Sequence, residues 1–164
     1  MRRLLAVAVF AAALGWGGRA HAIQIELGTY NFLQPRGDTL YGAGLLNDFH
    51  FGGPLSFLYG FHLVLDKSSM LTDLNLGPLL QIGGPGPAVR VGGMLLVVFQ
   101  NGFKDNPSYI LGGGKGILGG AWVFDNGRSV YLDLELQYGA VLDAPVDDPE
   151  QSRLGLNVWF GFAF

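Results

Sequence analysis

The chain has 164 residues, enough for one domain, and it is apolar: hydrophobic residues make up 49% of the sequence and charged residues 14%. It contains no cysteine, which excludes disulfide and thiol chemistry. The formal net charge of −3, with no basic stripe along the chain, argues against a nucleic-acid partner.

The first segment has the layout of an export signal. Arg2 and Arg3 form a basic region, residues 4–14 are apolar, and Ala20, His21 and Ala22 form a small-x-small triplet typical of a cleavage site. The apolar run is shorter than the roughly 20 residues that a transmembrane helix needs. We therefore predict that residues 1–22 are a cleaved signal peptide and that residues 23–164 form the mature domain.

After the signal, apolar residues alternate with small or polar ones, which is the pattern of a strand with one apolar face. No later apolar run is long enough for a membrane helix. Pro78 fits worst, because proline lacks an amide donor, and it predicts a bulge in the fourth segment. Eight segments of about the length that a tilted strand needs to cross a bilayer are predicted: residues 23–32, 39–51, 55–65, 74–82, 88–100, 109–124, 129–142 and 153–164.

The predicted connections alternate between short and long. Three carry the Gly, Pro and Asn-Gly chemistry of tight turns: 52–54, 83–87 and 125–128. Four are longer: 33–38, 66–73, 101–108 and 143–152. This alternation is typical of outer-membrane barrels, which have tight periplasmic turns and longer extracellular loops.

The last segment is the most regular of the eight. Every second residue from Leu154 to Phe164 is Leu, Val or Phe, and the sequence ends on Phe164 in register with that apolar face. This pattern resembles the C-terminal strand of bacterial outer-membrane β-barrels, the segment that the barrel-assembly machinery reads. The eight segments together resemble the small barrels of the OmpA-membrane-domain and OmpX-like type.

The resemblance implies an all-β fold, a closed eight-stranded antiparallel transmembrane β-barrel with up-and-down topology. It implies a location in the outer membrane of a Gram-negative bacterium. It also implies that Phe160, Phe162 and Phe164 act as an assembly signal.

A soluble exported barrel such as a lipocalin shows the same alternation, but with the apolar face inside. Two observations favour the apolar face outside. The polar stripes hold mostly Gly, Ser, Asn and Gln, with too few charges for a water-facing surface. Aromatic residues such as Phe51, Tyr59, Trp122 and Phe124 lie toward strand ends, where interfacial girdles belong.

In this orientation, most charged residues of the strands point inward. An eight-stranded barrel is just wide enough for side chains to fill, and a buried charge must be paired. We therefore predict a lumen charge network that plugs the barrel, with a gated polar conduit as the alternative. Its predicted members are Glu26, Arg90, Lys115, Asp133, Glu135 and Arg153.

Catalytic signals are weak. His62, Asp66 and Ser68 supply the parts of an acyl-transfer site, and some small outer-membrane barrels are lipid A acylases or deacylases. The chain lacks the His-x-Ser arrangement of the deacylases, and His62 is predicted to point inward, where a histidine is usually a hydrogen-bonded filler. A glycine spacing at 114, 116 and 119 fits G-x-G-x-x-G, but no helix follows it, so we expect no cofactor. The acidic residues Asp143, Asp147, Asp148 and Glu150 could bind divalent cations, but a solvated loop is favoured, so we expect no metal.

We predict an integral barrel with a structural or interaction role in the cell envelope. The alternatives are a lipid A-modifying acyl hydrolase or acyltransferase, and a carrier for small hydrophobic molecules through a lateral opening beside Pro78. The expected partners are outer-membrane lipids and lipopolysaccharide, with the barrel-assembly machinery and periplasmic chaperones during biogenesis. We expect no nucleic-acid partner and a monomeric barrel.

Overall fold

The computed structural model describes residues 20–34, 36–51, 53–66, 69–102, 108–142 and 152–164. They form eight antiparallel strands that pair in chain order and close into a barrel, which confirms the predicted fold class. Within these ranges no helix is long and apolar enough to span a bilayer. The strands are β1 (Ala20–Gln34), β2 (Arg36–His50), β3 (Leu55–Leu65), β4 (Ser69–Ile82), β5 (Gly86–Gly102), β6 (Tyr109–Val123), β7 (Ser129–Val141) and β8 (Ser152–Ala163).

The end of the chain closes the barrel. β8 pairs with β7 on one side and with β1 on the other. Beyond β8, the Phe164 amide donates to the Ile23 carbonyl at 3.1 Å, and the Ile23 amide donates back to the Phe164 carbonyl at 3.0 Å. Closure pairs the two edges that an open sheet would leave exposed.

The barrel is apolar outside and charged inside. Outward Leu27 and Leu95 are 63% and 61% exposed, whereas inward Glu26, Arg90 and Asp133 are at most 3% exposed. A soluble barrel has the reverse arrangement. Leucine on the outer face and paired charges within suit a hydrocarbon solvent.

Two predicted links belong largely to strands. β4 begins at Ser69 and not at residue 74, β1 continues to Gln34, and β2 begins at Arg36. The polarity pattern hid the start of β4, because Leu71 points inward and is 1% exposed while Thr72 is on the outer face. As a result, Asp73 lies on a strand and faces the lumen.

The predicted signal peptide lies mostly outside the described residues, which begin at residue 20. The predicted cleavage triplet, residues 20–22, forms the start of β1. Ala20 pairs with Phe49 and Ala22 with Asp48, with a register shift between the two pairs.

The predicted bulge at Pro78 is wrong. Pro78 pairs with Phe57 of β3 in unbroken register. Toward β5, pairing stops after Leu76 and resumes at Leu79 in the same register. Because proline lacks the amide hydrogen that the ladder needs, the wall has a gap in pairing at Gly77 and Pro78, without an inserted residue.

Gly77 of β4 and Gly93 of β5 both border this gap, and they should respond differently to alanine. A Cβ on Gly77 would lie 2.7 Å from Met94 Cα and still closer to the Gly93 carbonyl oxygen, whereas a Cβ on Gly93 would meet nothing within 4 Å. Backbone atoms cannot rotate away, so Gly77→Ala should lower the free energy of unfolding by about 1–3 kcal/mol. Gly93→Ala should change it by less than ~0.5 kcal/mol. Urea titration of both variants in lipid vesicles measures this difference, and equal effects would contradict it.

Candidate functional site

The charged side chains of the lumen meet around His62 on β3. Its Nε2 lies 2.5 Å from Glu26 Oε2 on β1, and its Nδ1 lies 3.6 Å from Asp73 Oδ2 on β4. Trp159 of β8 stacks on the imidazole, with ring centroids 3.8 Å apart and an interplanar angle of 17°. His62, Asp73 and Trp159 are each 0% exposed. The histidine is therefore held by side chains from three other strands and makes no contact with solvent or lipid.

Lys115 of β6 forms the next part of the network. Its Nζ lies 2.6 Å from Asp73 Oδ2 and 3.4 Å from Glu135 Oε2 on β7. Trp159 Nε1 donates to the same Glu135 oxygen at 2.9 Å, and Asn157 Nδ2 donates to it at 3.4 Å. One ammonium group thus joins two carboxylates carried by strands on different sides of it.

A second ion pair joins β5 to β7. Arg90 Nε donates to both carboxylate oxygens of Asp133, at 3.1 and 3.0 Å, and Arg90 Nη2 donates to Gln24 Oε1 at 3.2 Å. The guanidinium lies 3.7 Å from the centroid of the Tyr131 ring. Tyr131 in turn donates its hydroxyl to Glu26 Oε1 at 2.8 Å, which connects the Arg90 pair to the group around His62.

Acidic groups outnumber permanent cations in the lumen. Among the buried residues that the structure describes, the permanent cations are Arg90 and Lys115. The buried carboxylates are Glu26, Asp48, Asp73, Asp133 and Glu135. Each cation is therefore shared or held between several acceptors, and loss of either one would leave carboxylates unpaired in a low dielectric.

Apolar side chains fill the rest of the lumen. An upper cluster lies at the end of the barrel that carries the 66–68 and 103–108 links, and a lower cluster is built from β2 to β6. The upper cluster contains Tyr30, Val64, Leu71, Leu96, Val98, Tyr109, Leu111 and Trp159. The lower cluster contains Leu46, Leu58, Leu79, Met94 and Ile117. Side chains thus occupy the width that an eight-stranded barrel encloses.

Three lumen residues have the donor set of a metal site. Ligand atoms of His62, Asp73 and Glu135 all lie within 4.8 Å of one another. The Lys115 ammonium, however, contacts both carboxylates. A cation on these three residues would face that positive charge at contact distance, so the geometry does not fit a metal ion.

The structure separates the predicted site residues into three groups. Arg153 lies apart from the predicted acidic partners, with its guanidinium carbon 4.8 Å from the Tyr109 ring centroid and 5.3 Å from that of Phe32. Asp66 is half-buried just after β3, and Ser68 lies outside the described residues. The lumen itself holds Glu26, Arg90, Lys115, Asp133, Glu135 and the catalytic candidate His62.

Several members of the network carry no charge signal in the sequence. Gln24, Asn157 and Trp159 face inward and are fully buried, yet their side chains are neutral. Period two alone could have found them, because each lies an even number of positions from an inward charged residue or glycine on its own strand. Their partners could not have been found in this way, since those lie on other strands.

The sequence matches no protein-family model, and a search of curated proteins gives no match. Solved structures are similar in fold. Neisserial surface protein A (NspA) superposes with a TM-score of 0.68 at 8% identity, over 87% of this chain and 94% of that one. The N-terminal β-barrel domain of Pseudomonas aeruginosa OprF gives 0.55 at 16% identity, over 87% and 97%.

A third solved structure is that of the outer membrane enzyme PagL. It gives a TM-score of 0.52 at 13% identity, over 85% of this chain and 97% of that one. Identities this low show a shared fold and carry no residue roles from one protein to another. The chain has the fold of the small eight-stranded outer-membrane barrels.

Proposed function

We propose that this protein is an integral outer-membrane barrel with a filled lumen, whose role in the envelope is structural or interactive. The observation that supports this most is the lumen, where His62, Lys115 and Arg90 are tied to carboxylates on strands that are not their neighbours, and each of the three is at most 4% exposed. A network of this kind holds strands together. It offers neither a water path nor a reactive group at the surface.

The outer face supports the membrane location. Leucines cover the middle of the strands, and Trp122 and Phe124 are 53% and 41% exposed at the end of β6. Amphipathic aromatic rings are enriched at the two interfaces of a bilayer. Outer-membrane lipids and lipopolysaccharide are therefore the proposed contact partners of the barrel, which we take to act as a monomer.

The lipid A-modifying alternative finds no support in the described residues. His62 is 0% exposed and lies under Trp159, so its ring does not reach an acyl ester in the membrane. Its nitrogens face Glu26 and Asp73 and not a serine. The fold shared with PagL carries no residue role over to this chain.

Planar-bilayer recordings test the filled lumen. Folded wild-type protein should insert without producing ohmic single-channel steps, because ion pairs and apolar clusters occupy the lumen. A boiled sample serves as the control for contaminating pores. Regular steps seen only with the folded sample would contradict the proposal and favour the gated conduit.

The envelope role is tested in cells. Deleting the gene should raise uptake of a hydrophobic fluorescent dye across the outer membrane, and the wild-type gene should restore the barrier. A deletion strain with the uptake, detergent sensitivity and lipid A of its parent would contradict an envelope role.

The proposed assembly signal predicts a specific defect in biogenesis. Phe164→Ala should reduce the amount of folded barrel in the outer membrane several-fold, because Phe164 belongs to the proposed signal in β8 that would be read during insertion. Phe124→Ala is the matched control, since Phe124 is also exposed, at 41% against 48%, and also follows the end of a strand. The heat-shifted band on a detergent gel measures the amount of folded barrel for both variants. Equal losses in the two variants would contradict a specific role of Phe164 in assembly.

A further inference from the structure

An open groove of about 650 Å³ crosses the outer wall of the barrel. Its floor is formed by Gly93 of β5 with Gly114 and Gly116 of β6, and Gly93 is paired directly with Gly116. Its lining is almost entirely apolar. The outward side chains around the floor are those of Phe57, Leu76, Pro78, Leu95, Leu136, Tyr138 and Leu154.

The shape of the groove comes from the wall itself. Leu95 and Leu136 stand out from the surface, at 61% and 55% exposed, beside glycines that add no side chain. The gap in β4–β5 pairing at Gly77 and Pro78 lies along the same groove, where Gly77 lies too close to the β5 backbone to carry a Cβ. The groove therefore follows from backbone features of two adjacent strand pairs.

Internal packing does not require glycine on this floor. A Cβ at Gly93 or Gly116 would meet nothing within 4 Å. By contrast, a Cβ at inward Gly161 would collide with the Tyr131 ring. The bare floor is thus a property of the outer surface, where it leaves room for something outside the chain.

With the membrane location proposed above as the premise, we infer that this groove binds one acyl chain of a membrane lipid. The depth of the groove identifies the occupant. Leu76, Gly93 and Gly116 lie near the midpoints of Ser69–Ile82, Gly86–Gly102 and Tyr109–Val123. The midpoint of a spanning strand lies in the hydrocarbon core, beyond head groups, water and soluble partners.

The form of the groove favours a chain over a second barrel. A linear hydrocarbon can lie along a concave apolar surface, whereas the convex wall of another barrel would rest on the rim leucines. An unfilled groove would lose dispersion contacts along its floor, and a bound chain regains them. The filled lumen gives such a chain no path inward, so the ligand stays on the outer wall and is not carried through.

Spin-label electron paramagnetic resonance tests this assignment. The folded chain is placed in phosphatidylcholine vesicles that contain phosphatidylcholine labelled with a nitroxide near the methyl end of one chain. Gly93→Leu and Gly116→Leu fill the floor. Gly120→Leu is the matched control, because Gly120 faces outward on β6 beyond the groove and its added Cβ would have Ala88 O at 4.0 Å as its nearest neighbour.

Wild type and Gly120→Leu should show the same motionally restricted lipid fraction. In Gly93→Leu and Gly116→Leu, the restricted lipid fraction should fall by the amount that corresponds to one lipid chain per barrel. An unchanged fraction in both groove variants would overturn the assignment, as would an equal loss in Gly120→Leu. Wild-type dimers in chemical cross-linking that disappear in Gly116→Leu would also overturn it, by making a second copy the occupant.

The proposed membrane location can fail separately. In that case wild type would show no restricted lipid at all and no heat-shifted band on a detergent gel. If the barrel inserts and has an ordinary lipid shell, but the variants do not differ in restricted lipid, the groove site is wrong and the membrane location stands. If a leucine variant does not fold, Gly93→Ala and Gly116→Ala replace it, since their Cβ atoms enter open space.

Discussion

Replacing Lys115 with methionine should lower the free energy of unfolding by about 3–5 kcal/mol, because it removes one partner of a buried ion pair and leaves the others. The ammonium contacts Asp73 at 2.6 Å and Glu135 at 3.4 Å, and Asp73 is 0% exposed. Methionine is an unbranched side chain only one atom shorter than lysine, so the change measures charge more than volume. The two carboxylates would then remain together in a medium of low dielectric without their cation.

A double-mutant cycle separates this pairing from general damage. Asp73→Asn should soften the loss caused by Lys115→Met, since the neutral amide no longer needs the ammonium. Urea titration of wild type, both single variants and the double variant in lipid vesicles at neutral pH gives the coupling energy. Strictly additive effects would mean that Lys115 does not hold these carboxylates.

Trp159→Ala should destabilise the barrel by about 3–5 kcal/mol, the cost of deleting a large buried aromatic side chain. Trp159 is 0% exposed, stacks on His62 and donates its indole N–H to Glu135 at 2.9 Å. Its removal opens a cavity beside the imidazole and leaves a Glu135 oxygen short of a donor. The same urea titration measures the loss.

The chain supplies a matched control for Trp159. Trp122 lies on the outer face and is 53% exposed, so Trp122→Ala removes a ring of the same size from the lipid side and should cost clearly less than Trp159→Ala. Trp159→Phe keeps a ring over His62 but deletes the donor to Glu135, and should cost about 1–3 kcal/mol. A result in which the two alanine variants behave alike would contradict the inward anchor.

Lys115 and Trp159 belong to one network in the lumen. Lys115 and Trp159 both bind Glu135, and through Asp73 and His62 they connect β3, β4, β6, β7 and β8. The lumen therefore ties strands that are not neighbours in the wall, such as β4 to β6 and β3 to β8. A filled lumen of this kind makes the barrel rigid, which suits the structural role that we propose.

The strands could be predicted because period two is a local property. Successive side chains of a strand point to opposite faces, so the residues from Leu154 to Phe164 reveal their apolar face without any knowledge of their neighbours. The same rule placed Arg90 and Glu135 inside and Trp122 outside. It failed at Asp73, because Leu71 breaks the polar pattern of the inward face, and at Pro78, where the strand continues in register despite the missing donor.

The sequence by itself determined the number of strands, the face that each presents to lipid and the presence of charge within. Only the tertiary structure decided which charges meet. His62 and Glu26 are 36 residues apart and Lys115 and Asp73 are 42 apart, and their contacts depend on the stagger between strands, which no single strand encodes. The glycine floor of the groove has the same origin, since Gly93 and Gly116 become neighbours only when β5 and β6 pair in this register.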